Sequence, residues 1–166
     1  LGTLKMNKYI KALFCVPLAG IKYAILKIEH GKDFSAKMPA ILSPITEIAV
    51  DKKSHLKIGK TLKMHNGAKI RVRNGGNLKI GRNFGMSNGC VVTTYENISI
   101  GDNVMLGPNV LIYDQDHDYK AEGGVAAMKF KTAPIMIGNN VWTGANSIIL
   151  RGTVLGDNCV VGGGTY

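Results

Sequence analysis

One histidine stands in acidic company. His117, one of four histidines, sits in the run Tyr113-Asp114-Gln115-Asp116-His117-Asp118-Tyr119. Imidazole titrates near neutrality, so His117 can serve as a general base that takes a proton from a hydroxyl. A neighbouring carboxylate would raise its pKa and orient its ring. Asp114 and Asp116 are both candidates, and the sequence does not choose between them. No Ser or Cys is paired with His117 in sequence, so direct attack is expected rather than a covalent enzyme intermediate. Cys15, Cys90 and Cys159 are odd in number and far apart. They form no CxxC pair and no Cys/His metal spacing, so neither a disulfide framework nor a metal site is expected, and the compartment is read as reducing, hence cytoplasmic.

The elements that must hold His117 are written in a repeat. Ile80-Gly81-Arg82-Asn83-Phe84 returns as Ile100-Gly101-Asp102-Asn103-Val104, Ile137-Gly138-Asn139-Asn140-Val141 and Leu155-Gly156-Asp157-Asn158-Cys159. Ile58-Gly59-Lys60-Thr61-Leu62 is a weaker copy. Around these phrases an apolar residue recurs every six positions: Ile58, Met64, Ile70; Ile80, Met86, Val92; Ile100, Leu106, Ile112; and Ile137, Thr143, Ile149, Leu155, Val161. A second, mostly small residue follows four later, as at Ala68, Cys90, Val110 and Ser147.

Period six fits neither a helix nor a hairpin. It fits a parallel β-helix with three flat faces, in which the aliphatics fill the bore and Gly and Asn take the corners. A narrow bore with little room for rings accounts for the 7% aromatic content. Cys90 and Cys159 fall on inward positions. Three hexads make an 18-residue coil, the spacing from Ile137 to Leu155. Ile58 to Ile80 and Ile80 to Ile100 run slightly longer. Ile100 to Ile137 holds one coil plus an excursion over roughly His117–Pro134. The expected fold is therefore mainly β, with a long loop leaving the solenoid at His117.

The 166 residues make one domain and leave no room for a separate nucleotide-binding one. We divide them into 1–5, a remnant ahead of a start at Met6; 6–57, a helical segment and lead-in; and 58–166, the repeat, which breaks off mid-pattern at Gly162-Gly163-Gly164-Thr165-Tyr166. Residues 6–28 place Ile10, Leu13, Phe14, Leu18, Ile21, Ile25 and Ile28 at helical spacing, interrupted by Pro17 and Gly20, so a kink or two short helices is expected. The uncharged run between Lys11 and Lys22 is too short to span a bilayer. This segment packs on the protein or a second subunit, or touches an anionic membrane surface. Residues 1–82 carry 17 Lys and Arg against 4 Asp and Glu; residues 83–166 carry 4 against 7. No basic–aromatic alternation suggests nucleic-acid binding.

On its repeat phrases, and above all on 137–145 and 100–117, the chain resembles the left-handed β-helix hexapeptide-repeat acyltransferases, in particular galactoside- and maltose-type sugar O-acetyltransferases. The resemblance implies the left hand of the coil, acetyl-CoA as donor, a saccharide acceptor and a homotrimer. It carries the family's catalytic base onto His117. It carries donor contacts onto Trp142, Gly144 and Ala145 in one coil and Gly163 and Gly164 in the next, with the Ala145 amide as oxyanion donor. It carries acceptor contacts onto Ser87, Asn88 and Tyr95. Relatives that follow the histidine with Pro and a second His differ from His117-Asp118-Tyr119, and Tyr95 replaces an acidic sugar contact, so galactoside is not the favoured acceptor. N-acetylation of a nucleotide-linked amino sugar and a non-catalytic scaffold are the alternatives. A three-histidine zinc enzyme is disfavoured, because His55, His65 and His117 are not spaced as ligands.

Overall fold

The computed structural model describes residues 8–166, with side chains from Leu13 onward. The expected start at Met6, the remnant 1–5 and the side chain of Ile10 lie outside the described residues. Helix α1 (Lys8–His30) is followed by a parallel β-helix with six strands on each of two faces and five on the third.

The repeat arithmetic is the register. Leu56 and Ile58 stack under Leu78 and Ile80, Ile80 under Ile100, Ile100 under Ile137, and Ile137 under Leu155. The side chains at these positions point into one continuous core, with Ile70, Met86, Val92, Ile98 and Ile112 wholly or almost wholly buried. From the third coil on, Asn takes the first corner with φ near +55 to +61° at Asn83, Asn103, Asn140 and Asn158, a conformation Asn tolerates better than other side chains with a Cβ. Their amides also bond one another up the stack, Nδ2 of each donating to Oδ1 of the next at 3.0–3.2 Å.

The solenoid begins at Phe34, a full coil before the repeat becomes readable at Ile58. Strand Phe34–Ala36 pairs with His55–Ile58, and Ala40–Leu42 with Leu62–Met64. This first coil lacks the Gly-x-Asn phrase and turns at Pro39 and Pro44, which hides its period. The bore also admits two rings. Phe84 is completely buried at a corner where Val104 and Val141 occupy the coils above, and Phe34 meets Tyr23 of α1 edge-on at 5.7 Å.

Helix α1 is one continuous element. Pro17 lies on its solvent side, so the carbonyl left without an N–H partner is open to water. The helix caps the first coil, and not with its large apolar residues. Cys15, Ala19, Tyr23 and Leu26 face the solenoid, while Leu13, Phe14, Ile21, Ile25 and Ile28 face outward. Lys22 Nζ ties the helix to the Thr46 carbonyl at 2.7 Å, and Lys27 Nζ bonds the carbonyls of Gly31 and Phe34. No described helix is long and apolar enough to cross a membrane.

One inward position breaks the apolar series. Thr143 is completely buried and its Oγ1 has no hydrogen-bond partner. A buried hydroxyl left unpaired costs roughly 1–3 kcal/mol. Thr143→Val keeps the shape and removes that cost, so it is expected to raise the thermal unfolding midpoint by a few degrees, measured by circular dichroism.

Candidate functional site

The third face, built from Glu47–Val50, Lys69–Val72, Val91–Thr94, Leu111–Tyr113 and Ile148–Leu150, separates two corners. The residues singled out in the sequence divide between them.

At the corner where the third face ends, the chain leaves coil four. Asp114 is completely buried there and acts downward. It accepts the Thr94 hydroxyl at 2.5 Å, the Tyr95 amide at 2.7 Å and the Glu96 amide at 2.9 Å. It thus ties the root of the excursion to the corner below. The excursion then opens as a hairpin, Gln115–His117 antiparallel to Phe130–Thr132, with His117 opposite Phe130. Asp116 faces Arg151 of the next coil at 2.5 Å. Asp118 lies 3.1 Å from the Lys131 ammonium, whose hydrogen bond holds its carboxyl below the usual carboxylate range. Both candidate orienting carboxylates are therefore engaged with groups other than His117.

What His117 does touch is aromatic. Its ring lies 4.6 Å from that of Phe130, which lies 4.8 Å from that of Tyr95. The three rings form a ladder from the exposed histidine down to the coil below. Beneath it a polar groove of about 290 Å³ runs along the corner, lined by Asp51, Arg73, Asn74, Tyr95, Met128 and Phe130. Asp51 and Arg73, both in its wall, are ion-paired at 2.7 Å. Tyr95 was marked by the family resemblance; Phe130 was not. It lies inside the excursion, where no repeat applies, and only its pairing opposite His117 reveals it.

At the other corner, Ser87-Asn88, Gly107-Pro108, Gly144-Ala145 and Gly162-Gly163 form a column of stacked turns, with Gly164 above Asn146. The Asn109 amide donates to Asn88 O, that of Asn146 to Pro108 O, and that of Gly164 to Ala145 O. The glycines here have different physical reasons. A Cβ on Gly107 would sit 2.8 Å from Ala145 N, and one on Gly144 would sit 2.5 Å from Gly163 N. Coil stacking alone therefore forbids a side chain at either position. Gly164, at φ +72°, has open space where a Cβ would go. The Ala145 and Gly163 amides donate no hydrogen bond among the described residues, which leaves them available to an incoming carbonyl or amide. Trp142 projects outward on the second face between Met105 and Val160, about half exposed.

The strand between the corners, Val91–Thr94, has four residues and spans about 13 Å at the usual rise. The structure thus brings Asp114, His117 and Tyr95 together, and separately Ser87, Asn88, Gly144, Ala145, Gly163 and Gly164. It does not bring the two groups into contact within one chain. Among the described residues no cluster of three or more His, Cys, Asp or Glu side chains could hold a metal.

Comparison with known proteins agrees with this architecture. Residues 134–166 match the family model described as the hexapeptide repeat of succinyl-transferase. Galactoside O-acetyltransferase of Escherichia coli is 36% identical over 95 residues, which are 55% of this chain and 44% of the relative. The chain spans less than half the length of the curated relatives it matches first. Among solved structures, a mutant of AntD, an N-acyltransferase from Bacillus cereus in complex with dTDP and coenzyme A, superposes with TM-score 0.64 at 18% identity, covering 85% of this chain and 75% of its own. A maltose O-acetyltransferase from Clostridium difficile gives TM-score 0.52 at 23% identity, covering 95% and 76%. The chain is thus similar to hexapeptide-repeat acetyltransferases in sequence, and its fold is theirs, a left-handed parallel β-helix.

Proposed function

We propose that this protein is an acetyl-CoA-dependent O-acetyltransferase whose acceptor is a saccharide hydroxyl. The observation that carries the reading is His117. Its ring is solvent-exposed on a hairpin leaving a rigid acyltransferase-type solenoid, braced by Phe130 and Tyr95 rather than by a carboxylate.

In this reading the acceptor hydroxyl gives its proton to His117 as its oxygen attacks the thioester carbonyl carbon. The new C–O bond forms, and negative charge collects on the former carbonyl oxygen. The unpaired amide of Ala145 suits that oxyanion. The C–S bond then breaks, and the imidazolium returns its proton to the departing CoA thiolate. The unpaired Gly163 amide and the open space at Gly164 suit an extended amide-bearing arm, with Trp142 an exposed ring beside it. Ser87 and Asn88, one coil below Pro108, and Tyr95, at the groove, are the proposed acceptor contacts.

The separation of the two corners supports a shared site, in which His117 of one protomer faces the amide column of the next. The exposed apolar side chains Met105, Trp142, Leu150 and Val160 on the upper coils suit burial between subunits of a homotrimer. The test is acetyl-CoA-dependent thiol release across a panel of sugars and polysaccharides, with nucleotide-linked amino sugars included. Turnover on hydroxyl acceptors supports the proposal. Turnover confined to amino sugars would replace it with N-acetylation, and no turnover with no CoA binding would leave a scaffold.

Phe130→Leu removes the ring between His117 and Tyr95 while keeping bulk. We expect a fall of about tenfold in kcat/KM, borne by KM where the ladder binds the sugar face and by kcat where it only aims His117. Steady-state kinetics separates the two.

A further inference from the structure

We propose that α1 seats the base of the solenoid on an anionic lipid surface. The helix buries one face against the first coil and leaves the other bare. At 100° per residue, positions 13, 14, 17, 21, 24, 25 and 28 fall within an arc of about 120°. They are Leu, Phe, Pro, Ile, Ala, Ile and Ile, with no charge among them. Leu13 is 71% exposed, Phe14 66%, Ile21 59% and Ile28 84%. Scattered apolar residues on a surface need no explanation, but a continuous stripe along a helix does. Met38 and Ile45, at turns of the coil the helix caps, are also exposed and enlarge the apolar base.

Charge decides what covers it. The carboxylates of the first coil are already spent on basic groups of the second: Glu47 on Arg71 and Asp51 on Arg73, both at 2.7 Å. Asp33, just before that coil, lies 3.2 Å from His55. The lysines around the same base, Lys32, Lys37, Lys52 and Lys53, are exposed and have no ion pair among the described residues. A second copy of this face would bring lysines against lysines. A layer of anionic headgroups would meet them with opposite charge while its acyl boundary takes the apolar arc. An apolar arc set among unpaired lysines, with Glu29 as the helix's one carboxylate among the described residues and 3.8 Å from His30, fits a helix lying in the interface, and α1 is not apolar enough to cross it. The anchor does not depend on the transferase reading, since the helix lies at the opposite end of the solenoid from Ala145 and Gly163.

The test is co-sedimentation of the purified chain with phosphatidylcholine vesicles, with and without about 30% phosphatidylglycerol, in low and high salt. The wild type is expected to bind the anionic vesicles and to be released by salt. Replacing Phe14, Ile21 and Ile25 together by Asn is expected to weaken binding at least about tenfold. The unfolding midpoint should move little, because these side chains are half or more exposed and lie outside the buried core. Should that variant lose its fold, the paired substitution Lys52→Glu and Lys53→Glu, on exposed side chains, carries the test: it is expected to abolish the preference for phosphatidylglycerol. Equal binding of wild type and both variants would overturn the proposal. So would a wild type that ignores vesicles while the Asn variant sediments as a smaller assembly, which would assign the face to a second copy.

Discussion

Replacing His117 by Ala is expected to lower kcat for acetyl transfer by about 10²- to 10⁴-fold, the usual contribution of a positioned general base. CoA binding should change little, because the proposed donor contacts are backbone groups of Ala145, Gly163 and Gly164 rather than the imidazole. The measurement is thiol release at saturating acetyl-CoA and acceptor, beside a CoA binding titration. His117→Gln should be as inactive as Ala, since Gln keeps size and polarity but cannot take the proton. A His117→Ala protein that turns over like wild type would remove the base assignment. The side chain is exposed and its one described contact is Phe130. A loss of activity therefore cannot be ascribed to collapse of the core, and the unfolding midpoint should move little.

Asp114→Ala is expected to do the opposite kind of damage. The carboxylate is completely buried and accepts three hydrogen bonds, from Thr94, Tyr95 and Glu96. Removing it leaves one hydroxyl and two amides without an acceptor, each worth roughly 1–3 kcal/mol, and lets the corner relax. A loss of about 3–5 kcal/mol is expected by denaturant unfolding, a large share of the usual stability of a domain. Activity should fall as well, because the same bonds hold Tyr95 and the root of the His117 hairpin. The diagnostic is the pH profile measured on the folded fraction. If Asp114 only anchors, kcat falls while the limbs of kcat against pH stay where they were. If it acts through the imidazole, the acidic limb moves. The geometry predicts the first outcome. The same logic applies to Asp116, whose partner is Arg151; its removal should cost far less, because that pair is exposed.

These two residues also show how far the chain could be read unaided. His117, Asp114 and Asp116 stand within four positions of one another, and their types alone invited a base with a carboxylate partner. Proximity along the chain did not become contact. The chain bends at Asp114, between Leu111–Tyr113 and Gln115–His117, so Asp114 stays buried in the solenoid while His117 leaves it on the hairpin, and Arg151, 35 residues on from Asp116, claimed that carboxylate. Phe130 went unseen for the converse reason. It is remote from His117 in sequence, lies in a stretch without period, and meets it only because the hairpin closes. The helix shows the same limit. Its apolar period marked Leu13, Phe14, Ile21, Ile25 and Ile28, yet the solenoid buries Cys15, Ala19, Tyr23 and Leu26 instead, a choice that nothing local dictates.

Repetition makes the coil legible in the chain. A bore closed every 18 to 22 residues demands an aliphatic at fixed intervals and a small or left-handed residue at each corner. Any error would be repeated down the stack, so the demand is printed over and over, and the register from Ile58 to Leu155 could be counted before it was seen. Packing settles the rest: that the solenoid begins at Phe34, that α1 caps it with Ala19 and Tyr23 while presenting Phe14 and Ile21 to solvent, that Asp114 is an anchor, and that His117 and Ala145 stand at different corners. Those arrangements depend on single contacts between segments that share no repeat. A contact made once leaves no period in the chain to read.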